Sequence, residues 1–277
     1  MTTEKKQNEN QSSPQNQEAA QTESVTLTPE EKKQELLSVL LEKGKQSKNQ
    51  LTYTMIADMA DTHRGFLSVG MTPGRGSDMF PYVYPKFHEL YPDFTLEPRE
   101  LSVRKQQDAI HKGELDIGFV TISEQQKTTD EYIDLFDEEI FLALPEQYPI
   151  SEEYLQTDAL YPELPLSMFR YEPFVMMYKE STIRKTVDQI FHDAGFSPTV
   201  LFETSNNMTI LSMVSAKMAC ALIPYHYVKQ HPKGVRFYSL TTHPTWKVCV
   251  TYQKNSYLSK AAKDFIQMVD DYWEHGK

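Results

Sequence analysis

Cysteine is nearly absent from this chain. Cys220 and Cys249 are the only two among 277 residues, far apart and each inside an apolar run. A disulfide-stapled scaffold is thereby excluded, and two reduced, buried thiols are expected. No Cys/His spacing of a zinc site occurs, so neither metal nor cofactor is expected. Apolar runs long enough to cross a bilayer are missing too. The opening "MTTEKKQNENQSSPQNQEAAQTES" has the basic start of a secretory leader without its apolar stretch, so a cytoplasmic protein away from the membrane is expected. Positive charge is in deficit: 28 lysines and arginines against 39 acidic residues leave a formal net charge of −11. That balance argues against a broad non-specific grip on nucleic acid. No G-x-S-x-G elbow, Walker loop or dinucleotide fingerprint is present. His111, His192 and His226 have no acid or nucleophile at catalytic spacing and are expected at surface or boundary positions. Nothing in these patterns argues for an enzyme.

What is present is ordered by composition. Residues 1–27 are rich in Gln, Asn, Ser, Thr and Glu and have almost nothing to bury, so a disordered tail is expected. Residues 28–64 read as helical, with Thr28 as N-cap, Pro29 at the first position and Glu31 in a capping box. "LTYTMIADMADTHRG" supplies a second short helix that needs a partner surface. From Gly65 onward strands and helices alternate. "FLSVGM", "FTLEPREL" and "DIGFV" read as strands separated by helices, and "EIFLAL" follows them. The pattern then restarts with "PFVMMY", "STIRKTVDQIFHDAG", "TVLFE", "NMTILSMVSAK" and "ACALI", before "WKVCVTY" and a last helix. This predicts an α/β fold with a mainly parallel sheet, in two lobes, the chain crossing over and returning to finish the first.

Two turns carry the chemistry. In open α/β sheets ligands sit beyond the carboxyl ends of strands, where helix N-termini offer unpaired N–H groups. "MTPGRGSD" supplies the Thr72 and Ser77 hydroxyls, close backbone approach at Gly74 and Gly76, and the Arg75 cation for a carboxylate. "YKESTIR" sets Ser181 and Thr182 at the start of a second-lobe helix. Either turn alone is more simply a helix cap; their equivalent places in two lobes raise the case for a site. The tyrosines and methionines of "FVMMYK" fit a core strand, and the acidic run "DLFDEEI" reads as a solvated loop.

Several stretches, in order and spacing, resemble the effector-binding region of LysR-type transcriptional regulators. They include "GFLSVGMTPGRGSDMFPYVYPKFHELYPDFTLE", "AIHKGELDIGFV", "PFVMMYKESTIRKTVDQIFHDAGFSPTVLFETSNN" and "MVSAKMACALIP". The resemblance implies a two-lobed fold like type 2 periplasmic binding proteins, joined by two crossing strands. Lobe I would hold residues 65–143 and 244–277, and lobe II residues 144–243. It further implies a small-molecule effector in the cleft, a carboxylate or other anion being the best match to Arg75. The implied contacts are Thr72, Arg75, Ser77, Thr121, Ser181, Thr182, Ser205 and Asn206. A homo-oligomer, or a hetero-dimer with a related regulator, is implied as partner. Two departures stand out. The winged helix-turn-helix that opens such regulators has no counterpart in the N-terminal segment, so an effector-sensing module without direct DNA contact of its own is expected. In "SAKMACALIP", Lys217 and Ala219 stand where the family has glycines, and a rearranged turn is expected there. Pro85 should kink the first helix. A transport solute-binding protein and an enzyme on the same fold are the alternatives.

Overall fold

The computed structural model describes residues 65–275, together with helical positions at 31, 34, 38, 39, 54–56 and 58. The expected tail and most of the 28–64 segment lie outside the described residues. Thr54 and Asp58 nevertheless show where the second short helix rests. The Thr54 hydroxyl accepts from the Phe66 N–H at 3.1 Å and donates to the Phe66 carbonyl at 3.2 Å. Asp58 Oδ2 accepts from the Tyr257 hydroxyl at 2.6 Å and the Lys260 N–H at 2.7 Å. The partner surface is therefore the first lobe.

Lobe I is built on β1 (Gly65–Met71), β2 (Phe94–Glu100), β3 (Ile117–Ile122), β4 (Glu131–Pro145) and β10 (Thr245–Tyr252), with α1 (Arg75–Leu90), α2 (Val103–His111) and α7 (Lys260–His275) packed on the faces. β1 pairs in parallel with β2 and β3, while β10 runs antiparallel to β3 and β4. Strand alternation sorts the two faces. Ile117 and Phe119 of β3 and Val248 and Val250 of β10 join Phe87 and Phe265 in one core. Val120, Ile122 and Cys249, one residue out of step, meet Val103 of α2 on the other face. Both cysteines are free and buried. Pro81 and Pro85 sit inside a single unbroken α1.

Lobe II contains α3 (Glu152–Leu155), β5 (Glu163–Leu164), β6 (Pro173–Met177), α4 (Thr182–Asp193), β7 (Thr199–Thr204), α5 (Asn207–Ser215), β8 (Ala221–Pro224), α6 (Tyr225–Val228) and β9 (Val235–Leu240). β4 joins the lobes. Its residues through Glu139 pair with β10, and from Ile140 it pairs antiparallel with β8 and β9. The chain returns between β9 and β10. The crossing strands thus make the sheet mixed, where the alternation of strands and helices alone suggested a mainly parallel one. Along β4, Ile140, Leu142 and Leu144 face the core with Phe174 and Phe191, and Phe141 and Ala143 face the core with Val214 and Ile223. The run "DLFDEEI", expected as a solvated loop, is the middle of this strand. Pairing with β10 holds the run in the strand, where Asp134 and Asp137 stay exposed and only Glu138 of its acids is buried.

The "SAKMACALIP" turn is not rearranged. The Lys217 N–H donates to the Val214 carbonyl and the Met218 N–H to the Met213 carbonyl, at 2.9 and 3.1 Å. That is the paired bonding of a glycine-type helix end, and Lys217 takes the left-handed backbone, φ 63°, to make it.

Candidate functional site

The parallel strands β2, β1 and β3 end side by side, so the turns that follow them meet at one edge of lobe I. The turn after β1 is tight. Gly76 N–H donates to the Thr72 carbonyl and Asp78 N–H to the Gly74 carbonyl, both at 3.0 Å. Gly74 caps α1 at φ 92°, and a Cβ there would sit 2.9 Å from the Tyr227 hydroxyl. Glycine is required by conformation and by space at once. Thr72, Arg75 and Thr121 then border one small cavity with Met79 and Trp273, of about 10 Å³. That is roughly room for one water.

Arg75 is buried, with 6 % exposure, and its guanidinium pairs with Glu138, itself 4 % exposed. Glu138 lies on β4 one residue before the last pairing with β10. Its Oε2 also accepts from Trp246 Nε1 at 2.7 Å, and its Oε1 accepts from the His226 backbone N–H at 2.8 Å. One carboxylate therefore ties the first turn of lobe I, the returning strand and the helix after β8. The carboxylate that Arg75 meets in this structure is the protein's own. Ser77 points elsewhere: it is exposed, with its hydroxyl 3.4 Å from Glu100 Oε1.

On the lobe II side, Ser181 is the N-cap of α4, yet its hydroxyl makes no capping bond. The plain cap explanation thus leaves that hydroxyl unused. Thr182 starts the helix, and its carbonyl accepts from Gln126 Nε2 at 3.0 Å. Gln126 belongs to the short turn that follows β3, where it forms a capping box with Ser123. This bond brings the start of α4 against lobe I just beyond Thr121. Asn206 is exposed and caps α5, its Oδ1 accepting from the Met208 N–H at 2.8 Å. Among the described residues neither Ser77 nor Ser205 bonds across to the other lobe.

Other residues at the junction were not singled out in the sequence. Ser102, N-cap of α2 after β2, carries a hydroxyl that makes no capping bond and ends the strand beside Thr72's. Its signal was the same Ser-before-helix pattern used for Ser181. Asn207 Oδ1 is buried without a donor. Asn207 stands beside Tyr227, whose hydroxyl lies over Gly74. His226, expected at a surface or boundary position, is a half-buried boundary residue: its Nε2 is 3.0 Å from Asp78 Oδ2, which also accepts from Gln230 Nε2 at 2.7 Å. Burial pushes the His226 ring down to about 3, with the Arg75 and Lys229 cations acting in the same direction. The contact is thus a hydrogen bond from a neutral imidazole. Burial also raises the Asp78 carboxyl, against the pull of Arg75. Among the described residues no group of three His, Cys, Asp or Glu side chains could hold a metal ion. No helix among them is long and apolar enough to cross a membrane.

Residues 60–274 match the family model described as "LysR substrate binding domain". An uncharacterised HTH-type transcriptional regulator of Bacillus subtilis, YwbI, is 26% identical over 223 residues, covering 79% of this chain and 71% of its own length. Among solved structures, the C-terminal domain of a probable LysR family regulator from Rhodococcus aligns with TM-score 0.61 at 22% identity, over 74% of this chain and 98% of that one. The effector binding domain of QuiR in complex with shikimate aligns with TM-score 0.63 at 17% identity, over 76% of this chain and 99% of that one. At such identities the likeness carries the fold.

Proposed function

The chain belongs to the LysR substrate-binding domain family, and we propose that the junction of its lobes binds a small-molecule effector whose occupancy sets the angle between them. The observation that carries this reading is the approach of three hydroxyl-bearing turns. Thr72 and Thr121 border one cavity, and Gln126 draws the start of α4, with the unused Ser181 hydroxyl, against the same edge. The proposed contacts are Thr72, Arg75, Thr121, Ser181 and Thr182, with Ser77, Ser205 and Asn206 at the rim. The cavity of about 10 Å³ is smaller than any metabolite. Binding must part the turns, and a ligand favouring the parted state shifts the equilibrium by its differential affinity. Arg75 supports a carboxylate or other anion, since its guanidinium already recognises one carboxylate, that of Glu138. QuiR's shikimate is such a carboxylate.

A regulator of this kind acts in the cytoplasm and self-associates. Among the described residues β7 pairs with β6 alone and leaves Val200 and Leu201 exposed, which is an edge suited to a second copy or a related regulator. The ligand reading is tested by thermal shift of the purified chain against a panel of small carboxylates. Thr121→Val and Ser181→Ala should each weaken a hit about tenfold, the loss of one hydrogen bond to a charged group. A panel hit that both variants bind at wild-type affinity refutes the assignment.

A further inference from the structure

The junction between the lobes is held unevenly. On the α6 side three hydrogen bonds cross it: the His226 backbone N–H to Glu138, and the His226 ring and the Gln230 amide to Asp78. Each ends on a carboxylate, the stronger kind. On the α4 side, among the described residues, a single neutral bond crosses, from Gln126 Nε2 to the Thr182 carbonyl at 3.0 Å. The α4 edge is therefore where the turns part, with the α6 edge as pivot.

Gln126 is built for its contact. The Ser123 N–H donates to its Oε1 at 2.9 Å within the capping box, which turns the amide nitrogen toward α4. Gln107, buried on α2, fixes the backbone of the same turn. It donates to the Gln126 carbonyl at 2.9 Å and to the Tyr132 hydroxyl at 3.1 Å. A second, independent observation lies one turn into α4. The Thr186 hydroxyl oxygen is buried and has no hydrogen-bond partner. The acceptor in reach of a helical threonine is the carbonyl one turn back, here that of Thr182. A carbonyl has two lone pairs. The helical ladder uses one for the Thr186 N–H, and Gln126 takes the other. The Thr186 hydroxyl thus goes without while Gln126 is in place.

We propose that Gln126 is the latch of the effector site, and that it competes with the Thr186 hydroxyl for the Thr182 carbonyl; this rests on reading the junction as that site. With the turns joined, Gln126 holds the carbonyl and Thr186 is unpaired. When they part, Thr186 takes the carbonyl and water takes the Gln126 amide. The first turn of α4 loses no hydrogen bond on opening, so a modest difference in effector affinity between the two states shifts the balance.

The test uses the full chain without effector. Relaxation dispersion of the Ile122 and Ile183 methyl groups, at the end of β3 and in the first turn of α4, gives the share of molecules with the turns parted. Gln126→Glu removes the donor at neutral pH while keeping an acceptor for the Ser123 N–H. It should raise that share about fivefold or more, the loss of one neutral hydrogen bond. An unchanged share overturns the latch. Thr186→Val separates the competition from ordinary packing. In the wild-type chain it deletes a hydroxyl without a partner and should hold or raise the urea midpoint. In Gln126→Met, where the hydroxyl has the carbonyl to itself, it should lower the midpoint. A midpoint that Thr186→Val lowers in the wild-type chain, or does not lower in Gln126→Met, overturns the exchange. Neither readout uses an effector, so the latch stands or falls whether or not the carboxylate panel yields a hit.

Discussion

Replacing Glu138 by glutamine should be among the most damaging conservative changes available to this chain. The wild-type carboxylate is 4 % exposed and accepts from the Arg75 guanidinium, the Trp246 indole and the His226 backbone N–H. Glutamine keeps the shape but offers one acceptor oxygen and an NH₂ group, so a donor is turned toward one of three donors. Arg75, 6 % exposed, is left charged with no carboxylate. Removing one partner of a buried pair costs about 3–5 kcal/mol. For a domain of this size that corresponds to a fall in melting temperature of roughly 6–20 °C. Scanning calorimetry with urea unfolding measures it, and Trp246 emission reports the local change. The same reasoning requires that Arg75→Met in the Glu138→Leu background recover the part of the loss that comes from the unpaired charge, while the Trp246 indole and the His226 N–H stay without an acceptor. A Glu138→Gln loss below about 1 kcal/mol, or additive single effects in the cycle, would refute the claim that the carboxylate acts as the junction's fixed point.

Lys217→Gly should stabilise the chain by about 0.5–1 kcal/mol, since the left-handed backbone strains a residue with a Cβ more than glycine's extra freedom costs. The side chain is exposed and φ is 63°, so little packing is lost; a lower urea midpoint would contradict this. His243 faces two carboxylates, with Nδ1 at 3.0 Å from Glu139 and Nε2 at 3.2 Å from Glu163, and the Glu139 hydrogen bond leads in raising its pKa above the ordinary 6.5. Its contribution is then complete below about pH 6 and fades as pH rises through the raised value. His243→Asn, which tolerates the φ of 42°, should lose stability in acid and approach wild type in alkali. The opposite trend in urea midpoints would exclude the ion pairs. Leu201→Lys on the β7 edge should lower the self-association seen by light scattering while leaving the melting temperature near wild type, and an unchanged mass would place the interface elsewhere.

The alternation of strands and helices was legible because each element is written in its own period. Ile183, Val187, Ile190 and Phe191 repeat at helical spacing and are buried together, and β3 is a short, mostly apolar run buried on both faces. The two glycine-rich and serine-bearing turns were legible for the same reason, since strand, turn and helix start are local. What escaped is non-local. Glu138 sits in a run of acids that single-sequence reading assigns to water, and its partners lie 63, 88 and 108 residues away. His226 has no acid near it in sequence, and Asp78 reaches it from 148 residues upstream. Each acquires its surroundings only when β4 and the β9–β10 return carry the chain between lobes. Lys217 misleads in the other direction: the expected penalty of a non-glycine residue is real, but a helix end with two satisfied carbonyls absorbs it rather than rearranging. The junction's chemistry is therefore a property of the crossover, and the residues most diagnostic of it are those whose partners the local sequence does not show. Glu138 and His226 meet that description on opposite ends of one hydrogen bond.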